Sequence, residues 1–211
     1  MNAVALTALL TVLGAGELSP QIQEGEGAIG VRAGYRYVPN PYFAETARDR
    51  DPVVSPYFGS AAVNLNCQYF ALPTVPVVID LDWGGERLEL SSGGWIDTHA
   101  IAVGLSSGYL LEIDFVARPY AIVGVDMVNA IVTDHLATGS TVTGYKPTFG
   151  VHGAFGLMAP AFIPSLPWLA ASAELRYTFA PLTQRGLDYW VLGVAATVGL
   201  AARFDASQSW R

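Results

Sequence analysis

The residues best placed to do chemistry are nine charged side chains: Arg32, Arg36, Asp80, Asp82, Glu112, Asp126, Glu174, Arg176 and Arg203. Each sits at the parity of the small and polar residues in a segment whose other parity is apolar. Both signs occur, so neutralising pairs are available wherever these residues converge. Isolated charges in a tight interior are costly, and pairing is therefore expected. The pattern predicts a salt-bridged network filling an interior, with a conduction path as the weaker reading.

Nucleophilic catalysis needs a base within hydrogen-bond reach of a serine or cysteine. The three histidines, His99, His135 and His152, stand apart, and none lies in a His-X-Ser arrangement. His152 reads as an interior residue bonded to a polar neighbour. Three dispersed histidines and one cysteine, Cys67, define no metal coordination set. Gly84-Gly85 and Gly93-Gly94 match no phosphate-binding spacing and read as hinges. The expectation is a protein without catalytic, cofactor or metal site.

The elements that must position these charges are strands. In 28–38 (AIGVRAGYRYV), Ile29, Val31, Ala33, Tyr35 and Tyr37 share one face, and Gly30, Arg32, Gly34 and Arg36 the other. A helix would scatter both sets around its axis; a strand of period two separates them. The same alternation recurs over 57–68, 77–83, 98–112, 148–159, 169–179 and 189–204. It blurs over 119–133, where the preferred register sends Ala121, Val123, Val125 and Met127 outward and Asp126 inward. Long polar connections are expected at 39–56, 84–97 and 134–146, and short turns between them. Long and short connections alternating along about eight segments predict an all-β, closed antiparallel up-and-down transmembrane β-barrel.

Composition narrows the class. Of 211 residues, 52% are hydrophobic and only 14% charged, too few charges to cover an ordinary soluble surface. Several apolar runs of about 20 residues, as a helical membrane protein requires, are missing, and prolines 160, 164 and 167 interrupt one stretch. A soluble barrel with apolar contents would have to turn its glycine-rich and alanine-rich faces to water, which suits them poorly. The net charge of −7 excludes nucleic acid as a partner.

The apolar run 3–13 with small residues at 14–16 predicts a signal peptide over 1–16, despite an n-region without Lys or Arg. A short periplasmic segment (17–27), the barrel (28–204) and a tail (205–211) complete the expected organisation.

Arg118-Pro119-Tyr120 leading to Gly124, the run from Glu174 to Phe179, and the closing Ala202-Arg203-Phe204 carry a resemblance. Over 28–204 the chain resembles the eight-stranded bacterial outer-membrane barrels related to the transmembrane domain of outer-membrane protein A and to outer-membrane proteins W and X. The resemblance implies residence in the bacterial outer membrane as a monomer, in contact with outer-membrane lipid. It implies recognition by the barrel-assembly machinery through a terminal aromatic, here Phe204. A structural envelope role, or a narrow channel, follows first. Passage of a small hydrophobic solute, as in the outer-membrane protein W type, follows second, and a lipid-modifying hydrolase third.

Overall fold

The computed structural model describes residues 21–38, 59–89, 92–113, 117–135, 137–139, 141–160, 163, 165–184 and 187–206. The expected signal peptide, the 39–56 connection and the tail beyond Ala206 lie outside the described residues.

Alternation of apolar and small or polar residues produces eight strands: β1 (Glu26–Tyr37), β2 (Ser60–Leu72), β3 (Val75–Glu89), β4 (Trp95–Leu110), β5 (Arg118–His135), β6 (Thr141–Ala159), β7 (Leu169–Gln184) and β8 (Leu187–Asp205). Each pairs antiparallel with its successor, and β8 pairs with β1 from Glu26↔Asp205 to Tyr37↔Val194, closing the barrel. Closure matters energetically, because an unpaired backbone amide in hydrocarbon costs several kcal/mol, about what a whole side chain gains by burial.

The outward parity forms an apolar band. Val123, Phe149, Phe155 and Val198 are each about two-thirds exposed or more, and Ile29, Val31, Leu65, Ile79, Leu105 and Leu175 about half. Such a continuous apolar exterior is stable only against lipid. Cys67 lies on this outer face.

Inside, the apolar residues form two separate layers. Towards the rim of the β3–β4, β5–β6 and β7–β8 connections, Ala100, Ala102, Val128, Ala130, Val132, Ala180, Leu182, Val191 and Leu192 pack together. Towards the rim holding both barrel ends, Ile22, Phe70, Leu110, Tyr120, Ile122, Ala154 and Met158 do the same. An eight-stranded barrel has an interior just wide enough for side chains, and these two layers fill it at either end.

Three expectations change. The stretches 84–97 and 134–146 are not long loops: β3 continues to Glu89 and β5 to His135, leaving connections of 90–94 and 136–140. Polar residues there belong to strands that rise past the hydrocarbon, where an outward face need not be apolar. Arg87 and Asp97 pair across the first such extension at 2.7 Å, and Thr133 and Thr143 across the second at 3.4 Å. The short turn expected between the segments 169–179 and 189–204 shrinks likewise, since β7 reaches Gln184 and β8 starts at Leu187. Finally, Leu192, which the 189–204 alternation puts at the outward parity of Val198 and Leu200, is buried with φ of +75°. Its left-handed backbone, followed by Gly193 at φ +42°, turns the side chain inward where β8 runs past the end of β1.

Candidate functional site

Between the two apolar layers lies a belt of paired charges. Arg32 (β1) donates Nε and Nη2 to Asn64 Oδ1 (β2) at 3.1 and 2.9 Å, and Nη1 to Glu174 (β7) and to the Tyr120 hydroxyl (β5). Tyr120 in turn donates to Glu174 Oε2 at 2.7 Å. Arg176 (β7) donates Nη1 to Asp80 Oδ1 (β3) at 2.7 Å and Nε to Glu174 Oε1 at 3.1 Å. Asn64 Nδ2 reaches the same Asp80 oxygen at 3.3 Å. Asn66 donates to Asn64, and Gln68 to Asn66, extending the network down β2. Every participant named is buried. The bonds cross the lumen rather than follow its wall, tying β1 to β7 and β7 to β3.

Two smaller pairs complete the belt. Arg36 donates Nη2 to Asp82 Oδ2 and Nη1 to the Leu192 carbonyl, both at 2.7 Å. His152 Nδ1 donates to Asp126 Oδ2 at 2.8 Å. Space for the carboxylates comes from Gly104, where a Cβ would stand 2.7 Å from Asp126 Oδ1 and 3.0 Å from Asp80 Oδ1.

Of the nine charges singled out in the sequence, seven meet in this belt: Arg32, Arg36, Asp80, Asp82, Asp126, Glu174 and Arg176. Arg203 is buried but lies at the rim of the barrel ends. Its Nη2 donates to Glu26 Oε2 at 2.6 Å and its Nη1 to the Pro160 carbonyl at 2.8 Å. Glu26 was assigned to the segment before the barrel; β1 begins at that residue, so its side chain enters the lumen end. Glu112 corrects the reading in the other direction. β4 ends at Leu110, and Glu112 is exposed beyond it, because strand parity carries no meaning past the last paired residue.

Tyr120 was missed as a site residue, although it shares the parity of Asp126. Also unforeseen is the company of His152. Ser106 (β4), Gly124 (β5) and His152 (β6) stand side by side across three strands. A Cβ at Gly124 would lie 2.5 Å from Ser106 Cβ and 2.7 Å from His152 Cε1. Ser106 Oγ and His152 Nε2 are buried without hydrogen-bond partners, while Asp126 holds the far side of the imidazole. These are the residue types of a serine hydrolase, with base and orienting acid in contact. They are enclosed, however, between the two apolar layers. Phe204, the terminal aromatic, lies half-buried on the outer face, its ring covering Gly27 of β1.

Neither a protein-family profile nor a curated protein sequence matches the chain. Solved structures do. Neisserial surface protein A superposes with a TM-score of 0.56 at 13% identity, over 86% of this chain and 97% of that one. The outer-membrane protein OprG of Pseudomonas aeruginosa gives 0.62 at 12% identity, over 89% and 99%. The N-terminal β-barrel domain of Pseudomonas aeruginosa OprF gives 0.50 at 14% identity, over 86% and 98%. The similarity spans nearly the whole length of each barrel, and the fold is that of the small eight-stranded outer-membrane barrels.

Proposed function

We propose that this protein is a non-enzymatic barrel of the bacterial outer membrane whose lumen is closed, serving as a rigid element of the envelope. The observation that carries this reading is the ion-pair belt spanning the lumen between two packed apolar layers. A water-filled pore needs a continuous polar path; here Val128, Ala130, Ala180 and Val191, none with measurable exposure, block one end. Phe70 and Leu110, each 1% exposed, block the other. Lipid is the partner of the outer band, and the closed ladder favours a monomer. Phe204, on the last strand, is the residue offered to the barrel-assembly machinery. Reconstituted into planar bilayers, the protein should give no discrete current steps; regular unitary conductance would replace this reading with a narrow channel.

One observation favours a second reading, passage of a small hydrophobic solute. The β6–β7 ladder stops at Val151↔Phe179, although both strands continue past that point. Above it the lumen is packed with apolar side chains, so a solute that loosened this layer would find a sideways route between β6 and β7, where no backbone ladder bars it. Linking the two strands by cysteines at Gly150 and Ala180 should abolish uptake if this route is used. Unchanged uptake in the linked protein would exclude it.

A further inference from the structure

At the rim holding both barrel ends, the chain crosses the mouth of its own barrel. β1 begins at Glu26, and Gly25 just before it has φ of +83°, a left-handed backbone that glycine adopts without strain. The chain turns there, with the Glu26 N–H donating to the Gln23 carbonyl at 3.3 Å. Residues 21–24 therefore fold back beneath the lumen instead of leading straight away from the strand. Of these four only Ile22 is buried; Gln21, Gln23 and Glu24 are exposed. Ile22 packs with Phe70, Leu110, Tyr120, Ile122, Ala154 and Met158, so one branched side chain closes the lower apolar layer from outside the wall.

This segment belongs to no strand and is held by few ties. The Gly25 N–H donates to the Phe70 carbonyl at 2.9 Å, and the Ala206 N–H to the Gly25 carbonyl at 3.0 Å. The remaining tie is Arg203 on β8. Its Nη2 donates to the Gln21 carbonyl at 3.1 Å and to Glu26 Oε2 at 2.6 Å. Its Nη1 donates to the Pro160 and Pro167 carbonyls at 2.8 and 3.0 Å. One guanidinium thus grips both sides of the Gly25 turn and the β6–β7 connection together. The grip carries a cost, because Glu26 Oε1 is buried without a partner, a need that water would meet if the segment withdrew. Four residues are ordered for one buried side chain, so the net gain from seating them is small.

We infer that residues 21–25 are a detachable stopper, with Ile22 as the plug, Gly25 as the hinge and Arg203 as the latch. The unit leaves and returns while the eight strands stay paired. Its release exposes the lower apolar layer at that rim, so a barrel without a through path still has a chamber that opens at one end. This goes beyond a closed envelope barrel. The ion-pair belt lies above the chamber and stays shut in either position, so the stopper can fail while that reading stands.

The test uses the full chain in lipid nanodiscs, with Cys67→Ala removing the thiol on the outer face. Labelling by a membrane-impermeant methanethiosulfonate is followed in Ile22→Cys and in Val128→Cys, each rate taken relative to the same variant unfolded in urea. Val128 lies in the upper layer with no measurable exposure and reports opening of the barrel itself. The thiol at position 22 should label at least tenfold faster than the one at 128. Arg203→Lys keeps a charge beside Glu26 but cannot span the Gln21, Pro160 and Pro167 carbonyls. It should speed labelling at 22 at least tenfold further and leave 128 unchanged. Equal rates at the two positions would overturn the proposal, because the segment would then open only with the barrel. An Arg203→Lys rate unchanged at 22, or raised equally at 128, would remove Arg203 as the latch. Should a variant fail to fold, hydrogen exchange in the parent protein decides. After correction for intrinsic rates, the Gly25 and Ala206 amides should exchange together and at least tenfold faster than Leu110, whose N–H donates to the Thr74 carbonyl at the same rim. Equal protection of all three would make the segment a fixed part of the wall.

Discussion

Arg176→Ala is the sharpest test of the belt. The guanidinium contacts both Asp80 and Glu174 and is itself nearly inaccessible, with 4% of its side chain exposed. Its removal does not affect the two carboxylates equally. Glu174 keeps Arg32 and the Tyr120 hydroxyl, whereas Asp80 keeps Asn64 Nδ2 at 3.3 Å. The loss is therefore governed by one buried carboxylate stripped of its cation, which costs about 3–5 kcal/mol. That is a large share of the roughly 5–15 kcal/mol that holds a typical domain together. It lowers the folded-to-unfolded ratio by roughly two to four powers of ten. Removing both partners, as in Arg176→Ala with Asp80→Asn, strands no charge and should cost less than the single change, a coupling of at least about 2 kcal/mol in a double-mutant cycle. Urea titration in phospholipid vesicles, read by tryptophan fluorescence, measures all four corners, and heat-modifiable migration on a denaturing gel verifies that each variant still closes. A single variant within about 1 kcal/mol of the parent would refute the belt's structural role. So would a variant of unchanged stability that conducts.

Other expectations follow from sites outside the belt. Asp97 lies on the strand extension beyond the hydrocarbon, where hydrogen bonding from Arg87 holds its carboxyl below the usual carboxylate range. A depressed folded value contributes stability above the ordinary carboxylate range and loses it as pH falls through the depressed one. Once corrected for the intrinsic exchange rate at each pH, amides of the β3–β4 tip should therefore be slightly less protected below the usual carboxylate range than above it, and Arg87→Gln should flatten the dependence. A fluorophosphonate should leave Ser106 unlabelled in the folded barrel, since Ser106 and His152 are enclosed and make no hydrogen bond to each other; labelling lost in His152→Gln would restore the hydrolase reading. Phe204→Ala should reduce insertion in cells more than it reduces the urea stability of refolded protein; normal insertion would remove this residue as the assembly signal.

Most of the wall was legible because hydrocarbon imposes a strict alternation. Ile29 and Val31 against Arg32 and Arg36 can be read only one way, and even the blurred fifth strand is settled by Asp126, which must face inward. The errors cluster where that constraint ends. Arg87, Asp97, Thr133 and Thr143 look like loop residues because a strand in water or headgroups needs no apolar face. Glu112 and Glu26 were misplaced by the same cause, since parity gives a face but not the residue at which pairing stops. The neighbours Ser106 and His152 are far apart in sequence and meet only through the registers of β4, β5 and β6. Leu192 departs from its face through a left-handed backbone at which the following Gly193 is the only hint in the chain.

The same constraint locates the upper boundary of the hydrocarbon. Among the described residues, β6 has no ladder partner on the β7 side from Gly150 upward, and β7 none on the β6 side from Ala180. Open edges of this kind are tolerated in water or headgroups but not in lipid tails. Both edges carry a proline, Pro147 and Pro181, which removes a donor that would otherwise go unpaired. Thr148 Oγ1 donates to the Pro181 carbonyl at 2.7 Å, a side-chain latch where the backbone ladder is missing. On the outer wall Trp83 stands one row above that of Phe149 and Tyr145 two rows above it, the amphipathic rings that favour an interface. Backbone pairing, proline placement and aromatic position thus put the boundary just above the Phe149–Met127–Val103–Leu81 row. Beyond it the β7–β8 hairpin has no ladder to β6, so packing of Ala180, Leu182, Val191 and Leu192 against Val128 and Val132 must hold it in place. The layer that fills the upper lumen is therefore also what keeps the wall closed there, and loosening its packing should open the seam before it disturbs the belt.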